Sequence, residues 1–285
     1  MNAILQGVLL GGLHALFAAG LSLIFRVMRL VNIAHGDLIV LAAYIALVTV
    51  QTLGINPFLS LVIVVPVMAI VGYVLQRVLL NRALGGDLLA PLLVTFGLSV
   101  IIQNGLLELV PAESAKLNAG AIAAESIAVG GGLAVGLLPL TGFVLAVVVI
   151  AILQWLFRRT ALGRAFRATS DDQPVVQLMG LDKAHVLGLA MALSLAIVAV
   201  AGVFLALRAD LDPAMGPARL IFGFEAMIIG GLGSVWGALV GGIVLGVAQS
   251  IGAELDPGWS VLAGHIVFLV VIALRPQGLL PKVER

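Results

Sequence analysis

The chain has 285 residues, of which 62% are apolar and only 10% are charged, and its net charge is +1. Soluble domains carry about 25% charged residues, so this composition excludes a water-soluble protein and predicts an all-α polytopic membrane protein with one domain, residues 1–285. The few basic residues exclude nucleic acid as a partner. Because the chain has no cysteine, disulfides, thiolate nucleophiles and cysteine-based metal sites are also excluded.

Nine apolar segments predict membrane helices, because a helix satisfies its own backbone hydrogen bonds inside a bilayer. The segment 218–232 is short for a full crossing of about 20 residues, so it is either a ninth span or a broken, re-entrant helix that leaves eight. The first segment has no basic region before it and is expected to stay as a span. In chain order the segments are 7–25, 36–51, 58–76, 89–109, 138–157, 186–207, 218–232, 235–252 and 260–274.

The distribution of basic residues predicts the orientation of these spans. With nine spans, only Lys116, Arg208 and Arg219 fall on one side of the membrane, and the other lysines and arginines fall on the opposite side. Basic residues concentrate on the cytoplasmic side of membrane proteins. We therefore expect a periplasmic N-terminus and a cytoplasmic C-terminus.

Glycines spaced four residues apart recur within the spans. Such pairs lie on one helix face, where they permit close helix packing, although some pairs arise by chance among 34 glycines. The pairs are Gly7/Gly11, Gly237/Gly241 and Gly242/Gly246.

Polar residues at the start of the second span are candidates for function, because such groups inside a membrane are rare and costly. Asn32, His35 and Asp37 lie there, with Asn32 and His35 at a helical spacing of three. They would either line the translocation pathway or a gate, or only cap the helix. In the second case Asn32 is the N-cap and Asp37 lies near the positive helix end.

The fourth span also carries polar residues. Gln103, Asn104 and Glu108 share it, and Asn104 and Glu108 are four residues apart. This spacing could place them on an inward polar stripe that leads toward the periplasm.

One cytoplasmic connection, at about 158–184, is long and patterned. Ser170, Asp171 and Asp172 favour the start of a helix, since their side chains can cap it and the acids suit its positive end. Pro174 is tolerated in a first turn, and Gly180 favours the end of a helix. The segment predicts a helix of about two turns with an apolar side that a membrane surface or a partner protein would cover.

Glu225 lies in the short segment before a glycine-rich loop. It either faces water near the outer end of that segment or lines the pathway and biases selectivity. His14 and His265 are isolated in apolar spans, and we expect them to make interhelical hydrogen bonds rather than to bind a ligand.

Four blocks of sequence resemble permease subunits of ATP-binding-cassette importers of the branched-chain amino acid family. Residues 20–37 are similar to the opening signature of that family, and residues 163–186 to its coupling loop. Residues 228–246 resemble its glycine-rich signature, and 275–280 its usual ending. The blocks occur in family order across almost the whole chain.

The resemblance implies a type II-like importer permease in the bacterial inner membrane, embedded in the lipid bilayer. Two permease subunits, identical or homologous, would form the pathway, two cytoplasmic ATPases would dock on the coupling loops, and a periplasmic binding protein would deliver the solute. It also makes Asn32, His35 and Asp37 part of the permease core or inner gate. The implied docking residues are Gly163, Arg164, Arg167, Asp171, Asp172, Val175, Leu178, Met179, Gly180 and Leu181.

The chain itself cannot be the ATPase. Its lysines are Lys116, Lys183 and Lys282, and none follows a glycine, so the phosphate-binding G-x-x-x-x-G-K-[ST] loop is absent from the sequence. We expect a non-catalytic subunit that binds no cofactor and no metal, while the partner ATPases use ATP and magnesium.

The sequence predicts import of a small polar solute, with branched-chain or related amino acids as the family default. Amino acid-transporting members often carry a lysine near the position of Glu225, so this acid is a departure that leaves the solute open. The alternative is a stand-alone secondary transporter or channel, which would need a titratable group or broken helices near mid-membrane. Glu225 beside the glycine-rich loop is the feature that fits this alternative.

Overall fold

A computed structural model of the chain describes residues 2–84, 89–110, 116–120, 122, 125–130, 133–172 and 180–280. A 3-10 turn, Pro213–Met215, precedes α8. In chain order the elements are α1 (Asn2–Met28), α2 (His35–Leu53), α3 (Leu61–Leu75), α4 (Leu89–Leu109), β1 (Ser126–Gly130), β2 (Leu133–Gly136), α5 (Leu137–Arg159), α6 (Ala161–Asp171), α7 (Lys183–Arg208), α8 (Gly216–Gly230), α9 (Val235–Leu255) and α10 (Trp259–Leu274).

Each of the nine predicted segments coincides with a helix. Within the described residues, seven helices are long and apolar enough to cross a membrane, where α3 counts with its continuation to Ala83 through a π-helical turn. Helices α8 and α10 are shorter, with 15 and 16 residues. The all-α prediction needs one correction, because β1 and β2 form an antiparallel hairpin in the connection between α4 and α5.

Helix α1 is the centre of the bundle. In its most apolar stretch 83% of the residues are buried, against 72% in α7 and 17% in α4. It packs against α5, α7, α8 and α9. The peripheral helices α3, α4 and α5 therefore present most of their surface outward.

The predicted glycine pairs lie where helices of this bundle pack against each other, and we call such a contact between two helices a seam. A methyl group added at Gly242 would lie 2.5 Å from the Gly11 carbonyl oxygen, and one added at Gly7 would lie 2.5 Å from the α carbon of Val247. Gly241 contacts Ala226 of α8 in the same close manner. The helices approach at backbone distance because no side chain separates them.

The two C-terminal sequence blocks contact each other. After α10 the chain turns back at Gly278, which has a positive φ of 80°. The backbone N–H groups of Leu279 and Leu280 then donate to the carbonyls of Ile229 and Gly230, at 2.8 and 2.9 Å. These bonds satisfy carbonyl groups that the end of α8 would otherwise leave without partners.

Candidate functional site

The link between α1 and α2 turns back into the protein. Arg29 has a φ of 53°, and Asn32 is 1% exposed. The side-chain oxygen of Asn32 accepts a hydrogen bond from the Ala34 N–H at 3.0 Å, so Asn32 shapes the turn before α2. It is not the N-cap itself, because α2 begins at His35 and its N-cap, Ala34, makes no side-chain capping bond.

His35 joins α2 to the middle of α1. Its Nε2 donates to the Phe17 carbonyl at 3.1 Å, and its ring fills the space above Gly20, where a methyl group would lie 2.8 Å from His35 Cε1. Gly20 lies eight residues before the end of α1, or about 12 Å along the helix. Helix α2 therefore starts deep in the bundle rather than at its surface.

Asp37 is the centre of a buried polar cluster. Its Oδ2 accepts a hydrogen bond from Ser99 at 2.6 Å, and its Oδ1 accepts one from the Gln103 amide at 2.9 Å. Both donors belong to α4, and Asp37 itself is 1% exposed. Hydrogen bonds to a buried carboxylate offset part of the cost of removing it from water.

The inward polar stripe of α4 is made of Thr95, Ser99 and Gln103. Thr95 Oγ1 accepts a hydrogen bond from the backbone N–H of Ile33 at 3.3 Å, one turn below the Asp37 contacts. The prediction that placed Asn104 and Glu108 on this stripe is wrong, because both are exposed on the opposite face. Residues 95, 99 and 103 are each four apart, which keeps them on one side of the helix.

A second helix begins at Asp37. The first residue of α8, Gly216, lies so close that a methyl group there would overlap the Asp37 carboxylate, and one at Gly36 would overlap the Gly216 carbonyl. The positive ends of α2 and α8 thus both face this carboxylate. Together, α2, α4 and α8 meet around Asp37 in what we name the Asp37 junction, comprising Asp37, Ser99, Gln103, Gly36 and Gly216.

Glu225 lies elsewhere on α8. It is 4% exposed, so it does not face water, and it hydrogen-bonds to Nδ1 of His265 on α10. His265 therefore makes the interhelical hydrogen bond that its isolated position predicted. His14 is buried against the rings of Phe17 and Phe222, and among the described residues its Nδ1 has no hydrogen-bond partner.

Comparisons with known proteins agree over nearly the whole length. Residues 3–273 match the family described as branched-chain amino acid transport system / permease component. The high-affinity branched-chain amino acid transport system permease protein BraD of Pseudomonas aeruginosa is 28% identical over 100% of this chain and 97% of its own length. The chain belongs to this permease family.

Two further similarities extend that result. The related permease protein LivM of Escherichia coli is 28% identical over 43% of this chain and 29% of its own length. The structure of PsaBC from Streptococcus pneumoniae in complex with Fab has a TM-score of 0.51 at 15% identity, and the match covers 97% of this chain and 91% of that one. It shows the fold alone. With several apolar helices, the chain is a multi-pass inner-membrane permease.

The permease's long loop begins with a helix that was not predicted. Thr160 caps α6 by accepting the Gly163 N–H at 3.0 Å, and Phe166 is fully buried against Phe157 of α5. Ser170 and Asp171 are the last two residues of α6, and the predicted helix that would follow them lies outside the described residues. The Ser170 hydroxyl donates to the Arg26 carbonyl at the end of α1, at 2.6 Å.

The implied docking residues divide into three groups. Arg164, Asp171 and Asp172 are exposed around α6, with Arg167 partly exposed and Gly163 buried against α5. Gly180, with a φ of 79°, and Leu181 are exposed just before α7. Val175, Leu178 and Met179, with the predicted two-turn helix, lie outside the described residues.

Sequence reasoning missed Thr95 and Ser99, and it missed the contact that Ser170 makes with α1. The signal for the first two was present, since three hydrogen-bonding side chains at spacings of four interrupt an otherwise apolar span. Nothing local indicates that Ser170 reaches α1, because its partner is a backbone carbonyl 144 positions away.

Proposed function

We propose that this chain is one of two permease subunits of an ATP-binding-cassette importer. Two cytoplasmic ATPases would supply the energy, and a periplasmic binding protein would deliver the solute. The family match over residues 3–273 carries this proposal. The similarity to LivM supports a second, homologous permease as partner.

This chain would cross the membrane eight or nine times, with the N-terminus in the periplasm and the C-terminus in the cytoplasm. Most arginines and lysines lie near those ends of α1, α3, α5 and α10 that share one side of the membrane. This placement supports the orientation. Arg26, the glycine turn at Gly233 and the segment after α10 lie together on that side. Because the chain has no cysteine, a single cysteine at Arg164 should react with an impermeant maleimide only after cells are opened.

The solute would be a branched-chain or related amino acid. The similarity to BraD, a high-affinity branched-chain amino acid transport permease that aligns with the whole chain, supports this assignment. Glu225 is already engaged by His265, which supports a role inside the protein rather than at the solute. The chain would bind no cofactor and no metal of its own.

ATP-driven closure of the ATPases would push α6 and the segment that follows it. The structure offers a route for that movement, since α6 is packed on α5 through Phe166 and hydrogen-bonded to the end of α1 through Ser170. The same helices lead to the Asp37 junction, where α2 rests on α1 through His35. We infer that opening and closing of this junction gates the pathway.

Reconstitution tests the proposal directly. Vesicles that contain this chain, a second permease subunit and the two ATPases should accumulate radiolabelled leucine only when binding protein and ATP are supplied. Leucine flux through this chain alone, without ATPases, would instead support a stand-alone transporter.

Variants in the loop test the coupling route. Replacing Gly180 by proline forces its φ from 79° to about −65°, and reversing the charges of Asp171 and Asp172 alters the exposed end of α6. We expect both to lower leucine uptake per ATP hydrolysed without loss of membrane insertion. Unchanged uptake in both variants would contradict the assignment of this loop.

A further inference from the structure

A cavity of about 510 Å³ lies where α5 begins and α7 ends. Leu138 and Pro139 of α5 form one wall, Leu207 and Arg208 of α7 form a second, and residues 116–119 form the third. Both helices are long and apolar enough to cross a membrane. Because the cavity lies at their ends, it is at the depth where lipid headgroups meet water.

The cavity concentrates positive charge. Two of the three basic residues expected on this side of the membrane, Lys116 and Arg208, line it together. Lys116 is exposed and Arg208 is partly buried. Within the part of the chain that the structure describes, neither forms an ion pair with a carboxylate, and no acid lines the cavity. Asp210 is exposed outside the lining, so the two cations are available to an anion that comes from elsewhere.

Backbone contacts hold the segment that carries Lys116 against α7. The Leu117 N–H donates to the Ala206 carbonyl at 2.9 Å, which satisfies one acceptor in the last turn of α7. The side-chain oxygen of Asn118 accepts a hydrogen bond from the Gly120 N–H at 2.8 Å, and its amide nitrogen remains as a donor that a ligand can use. The two cations are therefore held on one cavity by the fold.

The remaining wall is apolar, and it continues along α5 into the membrane. Leu138 is 7% exposed. Leu145 and Val149 follow it by seven and eleven positions, a spacing that keeps them on the same helix face, and both are partly exposed. Val149 is about 16 Å from Leu138 along the helix, close to half of a hydrocarbon core about 30 Å thick. This apolar track has the length of one lipid acyl chain.

We propose that this cavity, together with the apolar track, binds an anionic phospholipid of the phosphatidylglycerol type. Arg208 and Lys116 would contact the phosphate, since a guanidinium pairs with two phosphate oxygens and an ammonium adds a point charge. One acyl chain would lie along Leu145 and Val149. Basic pockets between membrane helices bind lipid headgroups in this manner. A free phosphate ion would use the charges but leave the track empty, so the track favours a lipid. The proposal does not depend on the transported solute.

The lipid that the purified protein retains tests this site. The protein, with the chains that accompany it, is stripped of lipid, mixed with equal amounts of dioleoyl phosphatidylglycerol and dioleoyl phosphatidylcholine, and weighed by native mass spectrometry. The two lipids share their chains and their phosphate, but only the first has a net negative charge. We expect phosphatidylglycerol to be retained in preference, and Lys116→Gln and Arg208→Gln each to lower that preference about fivefold.

Two further variants control for charge and folding. Arg159→Gln removes an exposed cation at the opposite end of α5 and should leave the preference unchanged. Arg208→Lys keeps the charge and should retain the preference, and the exposed Lys116 remains a test if Arg208→Gln does not fold. An unchanged preference in both glutamine variants of the cavity, or an equal loss in Arg159→Gln, overturns the proposal.

Competition identifies the source of the phosphate. Dioleoyl phosphatidylglycerol should be displaced poorly by dihexanoyl phosphatidylglycerol and least by inorganic phosphate, because only long chains fill the track. Displacement by an equal concentration of inorganic phosphate would show an anion site without a lipid and overturn the proposal. Glutamine variants that keep their lipid but no longer bind a periplasmic protein would also overturn it, since the cavity would then receive an acidic side chain. Loss of the lipid preference with normal leucine uptake leaves the site standing and separates it from the transport function.

Discussion

The seam between α1 and α9 and the seam between α2 and α4 differ in the kind of contact that holds the helices together. In the first, Gly7 and Gly11 pack against Gly242 and Gly246, so the two backbones touch without intervening side chains. In the second, Ser99 and Gln103 of α4 donate hydrogen bonds to Asp37 of α2, and Thr95 of α4 accepts one from the Ile33 N–H just before α2. One seam depends on shape and the other on a few polar bonds.

This difference indicates which helix can move. A backbone contact between glycines has no alternative arrangement, because any displacement opens a void in a closely packed interior. A hydrogen bond to Asp37 can instead be exchanged for water or for a solute group. With only 17% of its central stretch buried, α4 is the helix that the bundle holds least firmly.

The largest predicted effect comes from filling the glycine seam. In Gly242→Ala the new methyl group would lie 2.5 Å from the Gly11 carbonyl, and we expect a loss of about 1–3 kcal/mol or more in stability. The control is Gly97→Ala, where nothing lies within 4 Å. Size-exclusion profiles after heating should show aggregation of the first variant and not of the second. Equal profiles would show that the close packing at Gly242 does not stabilise the protein.

Removing the acceptor of the polar seam comes next. Asp37→Ala leaves Ser99 and Gln103 without their partner, at a cost of about 1.5–3 kcal/mol, and should reduce leucine uptake at least about tenfold while the protein still folds. Ser99→Ala alone should cost about 1 kcal/mol and add nothing in the Asp37→Ala background. Additive losses would show that the residues act independently.

A smaller effect is expected where α6 joins α1. Ser170→Ala removes the 2.6 Å hydrogen bond to the Arg26 carbonyl, worth about 0.5–1.5 kcal/mol, and should lower uptake per ATP hydrolysed with little change in stability. Thr52→Ala is the control, since the Thr52 hydroxyl bonds only within α2 and is exposed. If both variants take up the same amount of leucine per ATP hydrolysed, α6 does not transmit movement through Ser170.

The smallest effect concerns the start of α7. Hydrogen bonds from the His185 N–H, the Arg77 guanidinium and the Ala184 N–H hold the pKa of Asp182 below its ordinary value. A carboxyl whose pKa falls on folding stabilises the protein above its unfolded pKa, and that contribution is lost as pH falls through the folded value.

Asp182→Asn keeps an acceptor for the N–H groups but removes the charge that faces Arg77 at 3.1 Å. Its melting temperature should therefore fall slightly less than that of the unchanged protein on acidification. Parallel pH profiles would show that this exposed pair contributes nothing.

The spans and the glycine seams were predictable because both depend on local pattern. An apolar segment of sufficient length predicts a membrane helix. The four-residue spacing of Gly242 and Gly246 identifies the helix face that can pack closely. The re-entry of residues 29–34 and the meeting of Gly216 with Asp37 were not predictable, since they depend on partners far apart in sequence. Helix α6 was not predicted either, because its N-cap Thr160 and its buried Phe166 contact α5, which local pattern does not reveal.

The central claim is that the α2–α4 seam opens during transport and the α1–α9 seam does not. Spin labels on the cysteine-free chain test it by distance measurement. One pair is at Val48 and Leu107, at the outer ends of α2 and α4, and the other is at Ile4 and Ile251 on α1 and α9, all of which are exposed. In the assembled transporter, adding ATP should shift the first distance by several ångströms and leave the second unchanged. An unchanged first distance, or equal shifts in both, would contradict the account.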